Sequence, residues 1–275
     1  NRNTLHDRNS TKNKQHNREE SRRGHHRSNR IRVNLPKSWN EITVAQYVEL
    51  QTIDLAEFDS IFLQSIEVLS ILTNEPPEEF KELDPEELID LMHKVSFIQR
   101  DPPNKPKELV NGLKLAPFIG VSLGEFIDLE HYTTNLAENF TTILAILYKR
   151  WKTDEWGNVQ FEPYQYDLKV RTNVFEDLSI SEVYGAVSNY ITFANDFKQR
   201  YENLFNPHIE DEPTEMDDED LKAEAEEKVF NKWSWEKLLF DLANEDITKI
   251  NAVTELPLVF VFNMLSMVEE LNLNK

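Results

Sequence analysis

The spacing of apolar residues constrains this chain more than any other feature. From residue 43 onward, apolar side chains return every three or four positions, which is typical of helices that bury one face. The second series stops before Pro76 and Pro77, because proline cannot continue a helix. The pattern predicts helices at about 43–53, 61–72, 85–95 and 135–150, and helices that begin at Ser122, Ser179, Ser234 and Pro257.

Polar residues stand where these helices are expected to begin. Asp84 directly precedes a proline, a combination that favours a helix N-terminus. Ser122 with Glu125, and Ser179 with Glu182, match the pattern in which hydroxyl and carboxylate each accept a hydrogen bond from the other residue's backbone N–H. We therefore expect Asp84, Ser122 and Ser179 to cap helices.

Two short segments carry hairpin signals instead. Asn111 and Gly112 lie between two short apolar runs, and both residue types tolerate the positive φ of a two-residue turn. Gly157 and Asn158 occupy a similar place in "DEWGNVQFEPY". These signals predict β-hairpins near 107–117 and 154–163. The predicted fold class is mainly α with one or two small β-hairpins, arranged as a multi-helix domain plus a small C-terminal helical module.

The beginning of the chain has the opposite charge from the rest. Residues 1–37 hold eight arginines and three lysines against three acidic residues, whereas the whole chain has a formal net charge of −20. This stretch has almost no apolar side chains to bury, so it is expected to be flexible. The predicted organisation is a basic arm at 1–32, a mainly helical domain at 33–206, an acidic linker at 207–228 and a C-terminal helical module at 229–275.

The arginines of the arm are candidate contacts for a partner. Basic side chains pair with phosphates or with acidic protein surfaces, and the lack of aromatic residues in the arm argues against base stacking. A purely solubilising arm is the simplest alternative. The candidate contact residues are Arg22, Arg23, Arg27, Arg30 and Arg32.

The sequence shows no motif that would indicate catalysis. It has no cysteine, which removes disulfides, thiolate metal sites and cysteine nucleophiles, and it has no glycine-rich phosphate-binding loop. Its many carboxylates do not stand at metal-ligand spacing, although their number leaves an acidic hydrolase or metal enzyme as an alternative. We expect no enzyme activity, no cofactor and no metal. We expect no membrane partner, because the longest apolar runs are about half of a membrane-crossing length.

Several tryptophans stand near the boundaries of the predicted elements. Most are expected to anchor the core, but tryptophan also carries much of the energy of protein–protein contacts. The candidate interface aromatics are Trp39, Trp233 and Trp235.

Several segments together resemble one protein family. These segments are "LPKSWNEITVAQYVEL", "FIDLEHY", "ILAILYKRW", "VFEDLSISEVYGAVSNYITF" and "WSWEKLLFDLANEDITKINAVTELPLVFVFNML". They are similar to the tail assembly chaperones encoded among the morphogenesis genes of tailed bacteriophages, over about residues 33–275. The resemblance implies a non-enzymatic protein in the host cytoplasm that binds virion proteins, such as portal, neck or tail components, through helical surfaces.

The basic arm lies outside this resemblance and supports an alternative. In that alternative, the protein stays in the virion near the portal, the neck or the packaged DNA. Its arm then contacts nucleic acid or an acidic protein surface.

Overall fold

Helices make up most of the residues that the structure describes, as the apolar spacing predicts. The computed structural model describes residues 33–162, 169–205 and 234–273. The predicted arm at 1–32 and linker at 207–228 therefore lie outside the described residues. The fold class is mainly α. The α-helices are α1 (Val44–Thr52), α2 (Ile61–Thr73), α3 (Pro77–Lys81), α4 (Pro85–Lys94), α5 (Leu123–Thr133), α6 (Phe140–Leu147), α7 (Lys169–Glu176), α8 (Ile180–Arg200), α9 (Glu202–Phe205), α10 (234–242), α11 (Ile250–Thr254) and α12 (Leu258–Leu273).

Two helices begin with a complete capping box. At α1, the Thr43 hydroxyl accepts a hydrogen bond from the Gln46 N–H (3.1 Å), and the Gln46 side chain accepts one from the Thr43 N–H (3.0 Å). Ser122 and Glu125 make the same reciprocal pair at α5, at 3.2 and 3.0 Å. The predicted cap at Ser122 is confirmed. These bonds satisfy backbone donors that have no partner within the helix.

The other two predicted caps lack their hydrogen bonds. Asp84 and Ser179 occupy the N-cap positions of α4 and α8, but neither side chain accepts a hydrogen bond from a backbone N–H of the helix that follows it. The Ser179 hydroxyl donates to the carbonyl oxygen of Trp39 instead (3.1 Å). The capping box predicted for Ser179 and Glu182 is therefore wrong, because Ser179 makes a contact 140 residues away along the chain.

A three-stranded antiparallel sheet joins two distant parts of the chain. Its strands are β1 (Leu109–Val110), β2 (Leu113–Leu115) and β3 (Tyr148–Lys149), in the order β1-β2-β3. Asn111 and Gly112 form the turn with φ of 48° and 81°, which confirms the hairpin predicted near 107–117.

The predicted helix at 135–150 is shorter than expected. Helix α6 ends at Leu147, and Tyr148 is extended (φ −96°, ψ 117°) because it pairs with Leu115 of β2. The Tyr148 hydroxyl also donates to the Lys107 carbonyl oxygen at 2.7 Å. Pairing with a distant strand therefore outweighs the local helical pattern at this end.

The second predicted hairpin is present and begins three residues earlier than expected. It pairs β4 (Trp151–Thr153) with β5 (Val159–Phe161). The Asp154 carboxylate accepts hydrogen bonds from two backbone N–H groups of the turn (2.9 and 2.8 Å), and Gly157 takes a φ of 85°. Hydrogen bonds from Asn158 lower the pKa of Asp154, and its side-chain bond has a larger effect than its backbone N–H.

Helix α6 lies at the centre of the fold. All of its apolar side chains are buried, and it packs against α5, α7 and α8. An apolar surface on every side is typical of a core helix.

A buried side chain of α1 caps the end of α2. The Gln46 side chain donates to the carbonyl oxygens of Ile71 (2.8 Å) and Leu72 (3.2 Å), which have no hydrogen-bond partner within their own helix.

The C-terminal helices are attached to α5 through backbone contacts. The Leu123 N–H donates to the Leu256 carbonyl oxygen (2.9 Å), and the Leu258 N–H donates to that of Val121 (3.0 Å). A Cβ atom added to Gly124 would lie 2.8 Å from the Thr254 Cβ, so glycine permits the close approach of α5 to α11. The described residues from Leu35 onward form one compact unit.

Candidate functional site

The buried charges of the described residues serve the fold. The Lys149 ammonium of β3 pairs with the Glu125 carboxylate of α5, and these side chains are 9% and 3% exposed. Glu125 also accepts the capping hydrogen bond from the Ser122 N–H. Each charge is thus compensated inside the protein. Within 33–162, 169–205 and 234–273, no three or more His, Asp or Glu residues form a group that could hold a metal ion.

The clearest surface feature is an apolar face on α12. Five apolar side chains of this helix are between 43% and 58% exposed. Single exposed apolar residues are ordinary on proteins, whereas a contiguous apolar row marks a candidate contact surface. We call this row the α12 stripe, and its members are Phe260, Met264, Met267, Val268 and Leu271.

The spacing of the α12 stripe places its members on one side of the helix. Phe260, Met264, Met267 and Leu271 are separated by four, three and four positions. This is the spacing by which two helices pack side by side in a coiled coil. Val268 lies beside that row. The stripe therefore has the length and shape to receive another helix.

The opposite face of α12 is fixed to α8 and α9. Phe262 is 2% exposed, and its ring centroid lies 5.0 Å from that of Phe197 and 5.2 Å from that of Phe205. The Tyr201 hydroxyl donates to the Asn263 side-chain oxygen at 2.7 Å. These contacts hold α12 in one orientation, with its stripe on the surface.

The C-terminal segment is acidic in composition. Residues 234–273 contain seven acidic and two basic residues, and both lysines pair with aspartates, at 2.8 Å for Lys237 and Asp241 and 3.2 Å for Lys249 and Asp246. Between 250 and 273 there are three glutamates and no basic residue. The two glutamates of α12, Glu269 and Glu270, line a cavity together with Arg200 at the end of α8.

The β4–β5 hairpin carries a second group of exposed apolar residues. Trp156 at its turn is 84% exposed, and Trp151 is 37% exposed with the Lys114 ammonium 5.1 Å from its ring centroid. No further strand pairs with the hairpin in the part of the chain that the structure describes. Nothing around these residues identifies a partner, so the α12 stripe is the stronger candidate.

The sequence-predicted site residues do not converge on this surface. Trp39 lies in the core, where it is 8% exposed and its Nε1–H donates to the Arg100 carbonyl oxygen at 3.0 Å. Trp235 is partly exposed, and its ring packs against those of Phe126 and Phe205. The remaining candidates lie outside the described residues, namely Arg22, Arg23, Arg27, Arg30, Arg32 and Trp233.

The apolar spacing predicts a helix after Pro257 but does not reveal its exposed face. The available signal was that apolar residues occur on every side of the helix from 258 to 268. A surface helix needs only one apolar face to pack on its own core, so the excess indicates a second contact.

Comparison with known protein families, with curated proteins and with solved structures found no match. Among the helices within the described ranges, none is both long and apolar enough to span a membrane.

Proposed function

We propose that this protein is a non-enzymatic assembly protein of a tailed bacteriophage, which binds another virion protein through the α12 stripe. The observation that carries the proposal is the contiguous apolar row of α12, held outward by contacts on the opposite side of the same helix. The resemblance of about residues 33–275 to tail assembly chaperones supports the phage setting.

The size of the stripe favours a transient complex. Five side chains that are each about half exposed offer on the order of 400 Å² of apolar surface, about the size of the largest patch on a typical monomer. A stable interface buries about 800 Å² on each partner. An assembly protein that releases its partner needs the weaker kind of contact, so this area supports a chaperone role over permanent retention.

Photo-crosslinking in phage-infected cells tests the proposal. A photoreactive benzoyl-phenylalanine replaces Phe260 in one variant and Ile89 of α4 in a matched control, since both side chains are 55% exposed. We expect the variant at Phe260 to crosslink to a structural protein of the virion, identified by mass spectrometry. We expect the control at Ile89 to give no such product.

Three results would overturn the proposal. The first is a product that appears equally from both positions, because it would reflect exposure alone. The second is a crosslink only to another copy of this chain. The third is the absence of any product from Phe260.

A further inference from the structure

We infer that the α12 stripe receives the N-terminal end of a helix of the virion protein, with an aromatic side chain in the turn that leads into that helix. This inference rests on the proposed function and deepens it, because it states what the partner presents. It follows from an internal repeat, in which a second helix of this chain shows how the corresponding face is covered.

Two stretches of the chain, 38–50 and 117–129, repeat one pattern 79 positions apart. They read "SWNEITVAQYVEL" and "PFIGVSLGEFIDL", and from the fifth position onward each position holds the same kind of residue in both. Both also fold alike, because a short 3-10 helix that begins with an aromatic residue, Trp39–Glu41 or Phe118–Gly120, leads into a helix with a complete capping box. Such self-similarity indicates a repeated structural unit.

Each repeat is joined to a later helix in the same way. The N-cap residue Thr43 forms an isolated β-bridge with Ser179, and the N-cap residue Ser122 forms one with Pro257. Each bridge is a reciprocal pair of backbone hydrogen bonds of 2.9–3.0 Å. Ser179 directly precedes α8, and Pro257 directly precedes α12. Helix α12 is therefore the counterpart of α8, and each of its residues corresponds to the α8 residue 78 positions earlier.

The face of α8 that corresponds to the α12 stripe is covered. Val268 and Leu271 of the stripe are 48% and 58% exposed. Their counterparts are Tyr190, which is 0% exposed, and Phe193, which is half-buried. The counterparts of the other three stripe residues are also buried or half-buried, namely Glu182, Ala186 and Asn189. Within the described residues, α12 thus lacks the cover that α8 has.

The cover on α8 is the turn that opens the second repeat. The ring centroid of Phe118 lies 5.9 Å from that of Tyr190 and 5.7 Å from that of Phe193. Helix α5 follows this turn and packs its Phe126 against Phe197 of α8. Repeated units bury their faces against the next unit, and the last unit leaves a face without a neighbour. The α12 stripe is therefore the place where the turn and helix of a further unit would pack.

One difference between the two helices concentrates the contact near the end of α12. A Cβ atom added to Gly185 of α8 would lie 2.6 Å from the Pro106 Cδ, so glycine lets the chain pass closely there. Asn263 has this position in α12 and prevents such an approach. Val268 and Leu271 are smaller than the rings they correspond to, so they leave room for an aromatic side chain.

A second copy of this chain does not offer the required turn. Trp39, the counterpart of Phe118, is 8% exposed and packs against Tyr47 and Phe97 in its own core. Phe118 is itself already in contact with α8. Residues 1–32 contain no Phe, Trp or Tyr. We therefore assign the turn to the virion protein.

A peptide that carries such a turn tests this inference. The probe is a synthetic peptide of residues 117–131, labelled with a fluorophore and titrated with the full-length protein while its fluorescence polarisation is measured. We expect the peptide to bind. The Phe118→Ala peptide should bind at least about tenfold more weakly, because a buried aromatic residue carries much of the energy of such a contact.

Two protein variants locate the binding. Val268→Glu together with Leu271→Glu should lose the peptide, whereas Ile89→Glu, at a similarly exposed position on α4, should keep it. The comparison of the two peptides uses the unchanged protein, so it does not depend on how the variants fold. No binding of the peptide, equal binding of the Phe118→Ala peptide, or binding that survives the double variant would each overturn the inference.

Failure of this inference can be distinguished from failure of the proposed function. If a virion protein crosslinks to position 260 but the peptide does not bind, the function holds and the stated form of the partner is wrong. If the peptide binds the stripe but no virion protein crosslinks, the stripe accepts such turns and the phage role fails.

Discussion

Removing one partner of the buried ion pair should destabilise the protein more than removing both. Lys149→Met keeps the length and shape of the side chain but removes the ammonium that compensates the Glu125 carboxylate. Glu125→Gln keeps an oxygen that can accept the Ser122 N–H, and it leaves the ammonium without its counter-charge. The double variant keeps the helix cap and contains neither charge.

The expected magnitude follows from burial. The Glu125 side chain is 3% exposed and that of Lys149 is 9% exposed. If one partner is removed, water can therefore solvate little of the charge that remains. Breaking a buried pair from one side costs about 3–5 kcal/mol, because an uncompensated charge stays inside the protein. Replacing both members by neutral groups of similar size is often close to neutral, so we expect the double variant to lie within about 1 kcal/mol of the wild type.

Urea denaturation followed by tryptophan fluorescence measures these differences as changes in the free energy of unfolding. In chains of roughly this size, each kcal/mol of lost stability lowers the melting temperature by about 2–4 °C. Each single change should therefore lower the melting temperature by about 6–20 °C. A loss below about 1 kcal/mol for Lys149→Met would show that solvent reaches the carboxylate. A double variant as unstable as the two single changes combined would refute the coupling between the charges.

Three further predictions concern the aromatic core. Tyr190→Phe should leave the free energy of unfolding unchanged or raise it by about 1 kcal/mol, because the buried Tyr190 hydroxyl has no hydrogen-bond partner among the described residues. A decrease of about 2 kcal/mol would reveal a partner. Trp39→Ala should lower the free energy of unfolding, measured by urea denaturation, by about 3–5 kcal/mol. The substitution leaves a cavity in the core and removes the hydrogen bond to the Arg100 carbonyl oxygen. An almost unchanged free energy of unfolding would contradict the core role. Burial raises the pKa of Tyr47, Tyr148 and Tyr190, so these hydroxyls lose their protons at lower pH in the unfolded chain than in the folded protein. The free energy of unfolding should therefore fall as the pH rises above about 10. Equal free energies of unfolding at about pH 8 and about pH 11 would contradict this.

The parts of the fold that could be predicted from the sequence are those fixed by neighbouring residues. The Ser122 capping box and the Asn111–Gly112 turn depend on hydrogen bonds and backbone preferences within a few positions, so their signal is complete in the local sequence. The start of α12 after Pro257 has the same origin.

The parts that could not be predicted depend on distant residues. The Ser179 hydroxyl donates to the Trp39 carbonyl oxygen and accepts no capping hydrogen bond from the backbone of its own helix, and Tyr148 leaves a helical pattern to pair with Leu115. The exposed face of α12 could not be identified from the sequence for a related reason. Because α12 is apolar on nearly every side, its periodicity does not show which side the Phe197 and Phe205 rings cover.

The most direct test of the central claim is the yield of infectious particles from phage that carry Met264→Glu together with Leu271→Glu. Both side chains are exposed, so the variant should fold with an unfolding midpoint close to that of the wild type. Losing two contacts of about 1.4 kcal/mol each, which the complex would bury, weakens binding to the virion protein about a hundredfold. We therefore predict that the titre of this variant falls, while Ile89→Glu retains a normal titre. A normal titre from the stably folded double variant would contradict the claim that α12 binds a virion protein.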